Sequence, residues 1–252
     1  MTGVPAVRIT AATHRGLVRA DNQDVVVLDG WASGADDTRS PELEQSLDRP
    51  VAVAVVDGMG GYRGGELAAW ITAQALVRTA GTVHDAHTAD ALAQRTHDTV
   101  SGAGAGVGLP DMGAAFVALV LDADGFGVCN VGDCRAYRLS EGALGLLSMD
   151  DAGPSRRDPT RTVLTQSIGG GGAQRIDAHW FAAPWSASGP QRFLLASDGL
   201  AVLSRPQIAS VLEAGDTAAC AASLVSATLA AGAPDNVSVI VADIQPAARR
   251  QQ

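Results

Sequence analysis

Apolar residues in this chain gather in short runs. Eight of them carry the alternation or the unbroken apolar character of β-strands: VRITAAT (7–13), DVVVLDGW (24–31), VAVAVVD (51–57), GAAFVALVLD (113–122), GFGVCNVG (125–132), RAYRLS (135–140), RFLLAS (192–197) and NVSVIVAD (236–243). Each is bounded by Gly, Asp or Pro, the residues that stop strands. Helical spacing governs the middle of the chain in GELAAWITAQALVRTA (65–80) and ADALAQRTHDTVSGA (89–103). It returns in RPQIASVLEA (205–214) and TAACAASLVSATLAA (217–231). The order is strands, two helices, strands, two helices, a final strand. A doubly wound sheet would alternate strictly; this order predicts two mainly antiparallel sheets packed face to face with helices outside, an α+β fold. The polar segment 32–50 reads as a loop insertion, and 148–162 as a second irregular piece.

Composition narrows the class. The chain has 252 residues, 46% hydrophobic and only 4% aromatic, so a large core must be built from Ala, Val, Leu and Ile. Net charge is −9 and the pI about 4.9. Nucleic-acid binders carry basic faces, so that partner class is disfavoured. Three cysteines (Cys129, Cys134, Cys220) at no metal-ligand spacing read as reduced thiols, which predicts a cytoplasmic protein. No apolar run reaches the ~18 residues of a membrane span, and MTGVPAVRIT has no apolar signal block. The five histidines show no ligand spacing and are expected at the surface.

Chemistry enters through the acids. Asp-Gly occurs four times. Asp124-Gly125 and Asp29-Gly30 sit between alternating runs and read as hairpin turns, where Asp-Gly supplies positive φ. Asp57-Gly58 and Asp198-Gly199 instead end continuous apolar runs and lead toward helices. A helix cap would explain one such acid; two in the same setting point to carboxylates that need cations. Asp24 and Asp235 open further strands. If these strand ends converge, four carboxylates without nearby His or Cys make a site for Mg²⁺ or Mn²⁺.

The pieces RGLVRADNQD (15–24), VAVVDGMGGYRGGE (53–66), MGAAFVALVL (112–121), NVGDCRAYRL (130–139), LTQSIGG (164–170), FLLASDGL (193–200) and APDNVSVIVAD (233–243) together resemble the PPM, or PP2C-like, family of metal-dependent protein serine/threonine phosphatases in its bacterial form. The resemblance implies a four-layer α-β-β-α sandwich, one catalytic domain with its core at about 6–244, and two Mn²⁺ or Mg²⁺ ions. It implies that Asp57 bridges the ions with the Gly58 carbonyl as a further ligand. Asp198 and Asp235 would hold one ion, and Asp24 would grip metal-bound water. Arg19 would clamp the substrate phosphate. The substrates would be phosphorylated proteins, with Ser/Thr kinases or their targets as partners. A water acidified by two cations would attack phosphorus, without a phosphoenzyme.

The chain also departs from that pattern. Gln23 stands where many relatives have Glu, Met59 where eukaryotic members have a histidine, and Ala114 and Ala115 where threonines are usual. Asp111 is the candidate ligand for a third ion, with Asp133 a weaker one. The flap between Asp151 and LTQSIGG is short, which predicts an open cleft or a dedicated partner. Two other readings stand beside the phosphatase: a catalytically weak binding module on the same fold, and a two-metal hydrolase of small phosphate esters.

Overall fold

The computed structural model describes residues 4–59, 64–155, 158, 162–171, 175–185 and 191–245. The chain runs β1 (Ala6–His14), β2 (Val25–Leu28), β3 (Trp31–Ser33), β4 (Thr38–Arg39), β5 (Leu43–Ser46), β6 (Val51–Met59), α1 (Gly64–Thr79) and α2 (Ala86–Val107). It continues through β7 (Gly113–Leu121), β8 (Gly125–Val131), β9 (Arg135–Ser140), β10 (Ala143–Leu146), β11 (Ala152–Pro154), β12 (Thr162–Leu164) and β13 (Ile168–Gly169). It closes with β14 (His179–Pro184), β15 (Gln191–Ala196), α3 (Arg205–Glu213), α4 (Thr217–Ala230) and β16 (Val237–Gln245). Two short 3₁₀ turns, Ala80–Thr82 and Asp198–Val202, join these elements.

One sheet has the order β10-β9-β15-β16-β1-β4, with β5 also on β1; the other has β14-β8-β7-β6-β2-β3, with β13 on β7. Every pairing among the described strands is antiparallel. Strand alternation sorts the core into three layers. Val53 and Val55 of β6 face inward and meet Ile9, Leu119, Phe193 and Ile240 between the sheets. Ala54 and Val56 face outward and pack with Ala69, Ala73 and Leu92 of α1 and α2. On the far side, α3 and α4 bury Ile208, Leu212 and Leu224 against Leu194, Val239 and Val241. Small residues on both α1 and β6 let that helix lie close to the sheet, which suits a core poor in aromatics. The expected α-β-β-α sandwich is therefore the observed one.

Several local expectations change. Segment 32–50 is not a plain loop: β4 and β5 within it pair with β1, so Arg8 lies opposite Glu44 and bonds it at 3.2 Å. Asp29 and Gly30 do turn the β2–β3 hairpin with positive φ, 23° and 95°. Asp124-Gly125 does not. There the Asp122 carboxylate accepts both the Asp124 and Gly125 N–H groups at 2.8 Å, an Asx-type turn that needs no left-handed residue. His97 is buried, with Nδ1 accepting the Gly169 N–H at 3.1 Å, and His179 lies on β14 bonded to Asp151. His97 is thus not a surface histidine, while His179 is half-buried. The three cysteines are free and buried. Gly60 and Gly61 of the glycine-rich motif, and Arg156, Arg157 and Pro159–Arg161 of the short flap, lie outside the described residues. No helix among the described residues is long and apolar enough to cross a membrane.

Candidate active site

The antiparallel registers bring the candidate acids to one end of the sandwich. In one sheet, β6 ends through Asp57, beside the start of β2 just after Asp24 and the start of β7 just after Asp111; β8 ends two residues before Asp133. In the other, β15 ends two residues before Asp198, next to the start of β16 after Asp235 and the end of β1, which leads into Arg19. A hydroxyl joins the two halves: Ser197 Oγ donates to Asp24 Oδ2 at 2.7 Å and accepts the Ser238 N–H at 2.9 Å. Ser238 Oγ in turn lies 2.6 Å from Thr13 Oγ1, which also accepts Asn22 Nδ2 at 2.8 Å.

Asp24 is fully buried, and its Oδ1 has no hydrogen-bond partner among the described residues. Burial pushes its pKa up to about 7, with Asp198 and Asp235 adding to the rise against the Ser197 and Ser238 hydrogen bonds. Asp57 is held well above the usual carboxylate range by withdrawal from water and by Asp24, Asp198, Asp133 and Asp235 around it. Asp198 is raised for the same two reasons, desolvation first and then Asp235. Asp133 is pushed up to about 6 by burial and by Asp198. Five carboxylates thus repel one another, a charge excess a protein keeps only where cations offset it.

Two arginines border the cluster. Arg19 Nη2 donates to Asp235 Oδ2 at 2.5 Å, the only group it hydrogen-bonds among the described residues, and its side chain is 57% exposed. That contact raises the Arg19 pKa. On the other side, Arg135 at the head of β9 grips Asp150 through Nε and Nη2, the closest approach being 2.6 Å. From there it lowers the pKa of both Asp133 and Asp198.

The oxygen-only donor set, the orphaned Asp24 Oδ1 and the uncompensated charge suit hard divalent cations. The side chains do not stand as a closed shell: no group of three Asp, Glu, His or Cys among the described residues is already arranged around a common point. Gly58 is closely hemmed in. A Cβ there would strike the Gly65 carbonyl oxygen and come within 2.8 Å of the Gln23 carbonyl oxygen, so only glycine lets β6 meet the start of α1. Gln23 itself packs on Gly65, its Oε1 lying where a Gly65 side chain would be.

Residues 35–232 match the protein phosphatase 2C family. The chain belongs to that family. It is 28% identical to the serine/threonine protein phosphatase PstP of Mycobacterium tuberculosis over 94% of this chain and 45% of that protein. The chain thus spans about half the length of this relative. It is 25% identical to the serine/threonine phosphatase stp of Listeria monocytogenes, over 92% of this chain and 93% of the relative. The crystal structure of the PstP catalytic domain with two manganese ions superposes with a TM-score of 0.75, at 25% identity, covering 96% of this chain and 99% of that one.

Of the sequence-derived residues, Asp24, Asp57, Gly58, Asp198, Asp235 and Arg19 lie together. Asp111 is separated from them in character: it is exposed, with Oδ1 against Gly171. Asp133, ranked below it from sequence, is the acid that presses on Asp57 and is pressed by Asp198. Sequence reasoning missed Ser197, Ser238 and the Arg135–Asp150 pair. Ser197 was within reach, since it adjoins Asp198 in the quoted LASDG block. The Arg135–Asp150 pair joins residues on separate elements, and no local spacing marks it.

Proposed function

We propose that this chain is a protein phosphatase that removes phosphate from serine and threonine in phosphorylated proteins, using two Mn²⁺ or Mg²⁺ ions. The observation that carries this reading is the convergence of Asp24, Asp57, Asp198 and Asp235 beside an exposed Arg19. Asp57, the Gly58 carbonyl, Asp198 and Asp235 would hold the two ions, and Asp133 in preference to Asp111 would serve a third. Bound divalent ions supply positive charge and an acidified water for attack on phosphorus.

The chain's own groups do the rest. Arg19 carries donors to two phosphoryl oxygens in a planar fork, from a loop one strand away from Asp198. As the bond to the leaving oxygen lengthens, that permanent charge stabilises the growing negative charge. Asp24, buried and held by Ser197, keeps one oxygen free to accept a hydrogen bond from within the cluster. Cys134 takes no part. It is fully buried and its thiol pKa is raised well above normal by desolvation and by Asp57, so no thiolate forms. Kinases or their targets are the natural partners of such an activity.

The test is hydrolysis of a chromogenic phosphate ester and of a phosphothreonine peptide, with Mn²⁺, with chelator, and with Asp198→Ala. Metal-dependent turnover of both substrates, lost in the variant, is expected. Full activity in chelator would overturn the reading, and turnover of the ester alone would favour a small-ester hydrolase.

A further inference from the structure

The loop that delivers Arg19 exposes two large aliphatic side chains just ahead of it. Leu17 is 63% and Val18 71% exposed. Loops that leave apolar groups in water are often loose, but this one is pinned along most of its length. The Leu17 N–H donates to the Ala233 carbonyl at 2.9 Å, and the Gly16 N–H to His14 Nδ1 at 2.9 Å. The Arg15 N–H reaches Asp36 Oδ1 at 2.8 Å, while its guanidinium pairs with Asp36 at 3.2 Å and reaches the Ala20 carbonyl at 3.3 Å. Asn236 binds the loop from below: Nδ2 donates to the Arg15 and Asp21 carbonyls at 2.8 and 3.0 Å, and Oδ1 accepts the Gln23 N–H at 2.9 Å. Gly16, at φ +81°, sits against the Asp235 and Ala233 carbonyls so tightly that no side chain fits. The loop and the Asp235 turn therefore form one rigid unit.

A preorganised loop that presents apolar surface loses little freedom when something covers it. We propose that Leu17 and Val18 are the docking surface for apolar residues flanking the phosphorylated residue of a peptide substrate. This rests on the phosphatase reading. The occupant follows from continuity with the phosphate clamp. A phosphorylated residue held by the Arg19 guanidinium carries its chain neighbours, spaced about 3.3–3.8 Å apart, over the loop whose side chains immediately precede Arg19. A small phosphate ester has nothing to place there; a polypeptide does. Covering Leu17 and Val18 with a flanking Leu removes apolar area from water on both partners, which sets a preference of about three- to ten-fold over a polar flank.

The experiment compares two phosphothreonine peptides in Mn²⁺, one with Leu at the two positions on each side of the phosphothreonine and one with Ser there. The readout is the ratio of their kcat/KM values. For the native chain the ratio is expected at about three to ten in favour of Leu, and for the Leu17→Ser, Val18→Ser double variant close to one. Thermal unfolding of the variant shows whether its fold is kept, and Leu17→Ala and Val18→Ala singly give intermediate ratios if it is not. A native ratio of one, or a ratio that the substitutions leave unchanged, overturns the docking surface while leaving the phosphatase intact. Failure of the native chain to hydrolyse either peptide overturns both.

Discussion

At the scale of single residues, the site separates groups that must be charged from groups that must stay neutral. Arg19 is a permanent cation paired with Asp235, and it remains open to water. If it clamps the phosphoryl group as proposed, Arg19→Ala is expected to lower kcat/KM on a phosphothreonine peptide by about 10²-fold. Arg19→Lys should recover only part, since an ammonium lacks the planar fork. Steady-state kinetics with circular dichroism on the same samples checks this, and wild-type kcat/KM in the alanine variant would remove Arg19 from the chemistry. Cys134 is the converse case. Its buried, protonated thiol predicts that Cys134→Ser keeps turnover within about threefold, whereas a thiol nucleophile would lose it by orders of magnitude.

At the scale of elements, legibility followed the range of the stabilising contacts. Strands β1, β6, β7 and β16 are buried along most of their length, so their apolar runs announce them, and the acids at their ends were found for the same reason. The short strands β4, β5 and β10–β14 escaped. They run from two to six residues and several lie half in solvent, and β4, β5, β13 and β14 pair with strands far away in the chain, so no local period marks them. His97 was misjudged similarly: its burial depends on Gly169 docking from 72 residues away. The turn at Gly16 shows a third limit. A glycine after an arginine looks ordinary, yet its φ of +81° and the carbonyls crowded behind it make it a keystone between β1 and β16. Gly16→Ala must adopt the left-handed region and push those carbonyls apart, a loss of about 1–3 kcal/mol. Urea denaturation measures it, and stability within about 0.5 kcal/mol of the native chain would show that the loop is free to move. The cap of α2 offers an independent comparison: Asp85 accepts the Thr88 N–H at 2.7 Å far from the acids, so Asp85→Ala should cost about 1 kcal/mol without touching turnover.

At the scale of the whole molecule, the sandwich stores an electrostatic imbalance at one end, and that imbalance links stability to pH and to metal. Asp24, Asp57 and Asp198 all have folded pKa values raised above the unfolded ones. The folded state then holds protons that the unfolded chain has released. Stability in chelator is accordingly greatest near and below pH 4 as far as these groups decide it, and is lost as pH climbs through about 7, where Asp24 must ionise. For Asp24 alone that loss is on the order of 4 kcal/mol by pH 8. Divalent cations bind the ionised carboxylates, so their stabilisation should grow with pH in mirror image. Thermal unfolding between pH 5 and 8, with chelator and with Mn²⁺, is expected to show Tm falling in chelator and holding nearly level in metal. Asp24→Asn removes one buried ionisation, and with it part of the push on Asp57, and should flatten the chelator curve. A native Tm that stays level or rises from pH 5 to 8 in chelator, with a manganese shift of equal size at every pH, would mean that the acids are already compensated within the protein, and the convergence that gives this end of the sandwich its function would be a packing feature alone.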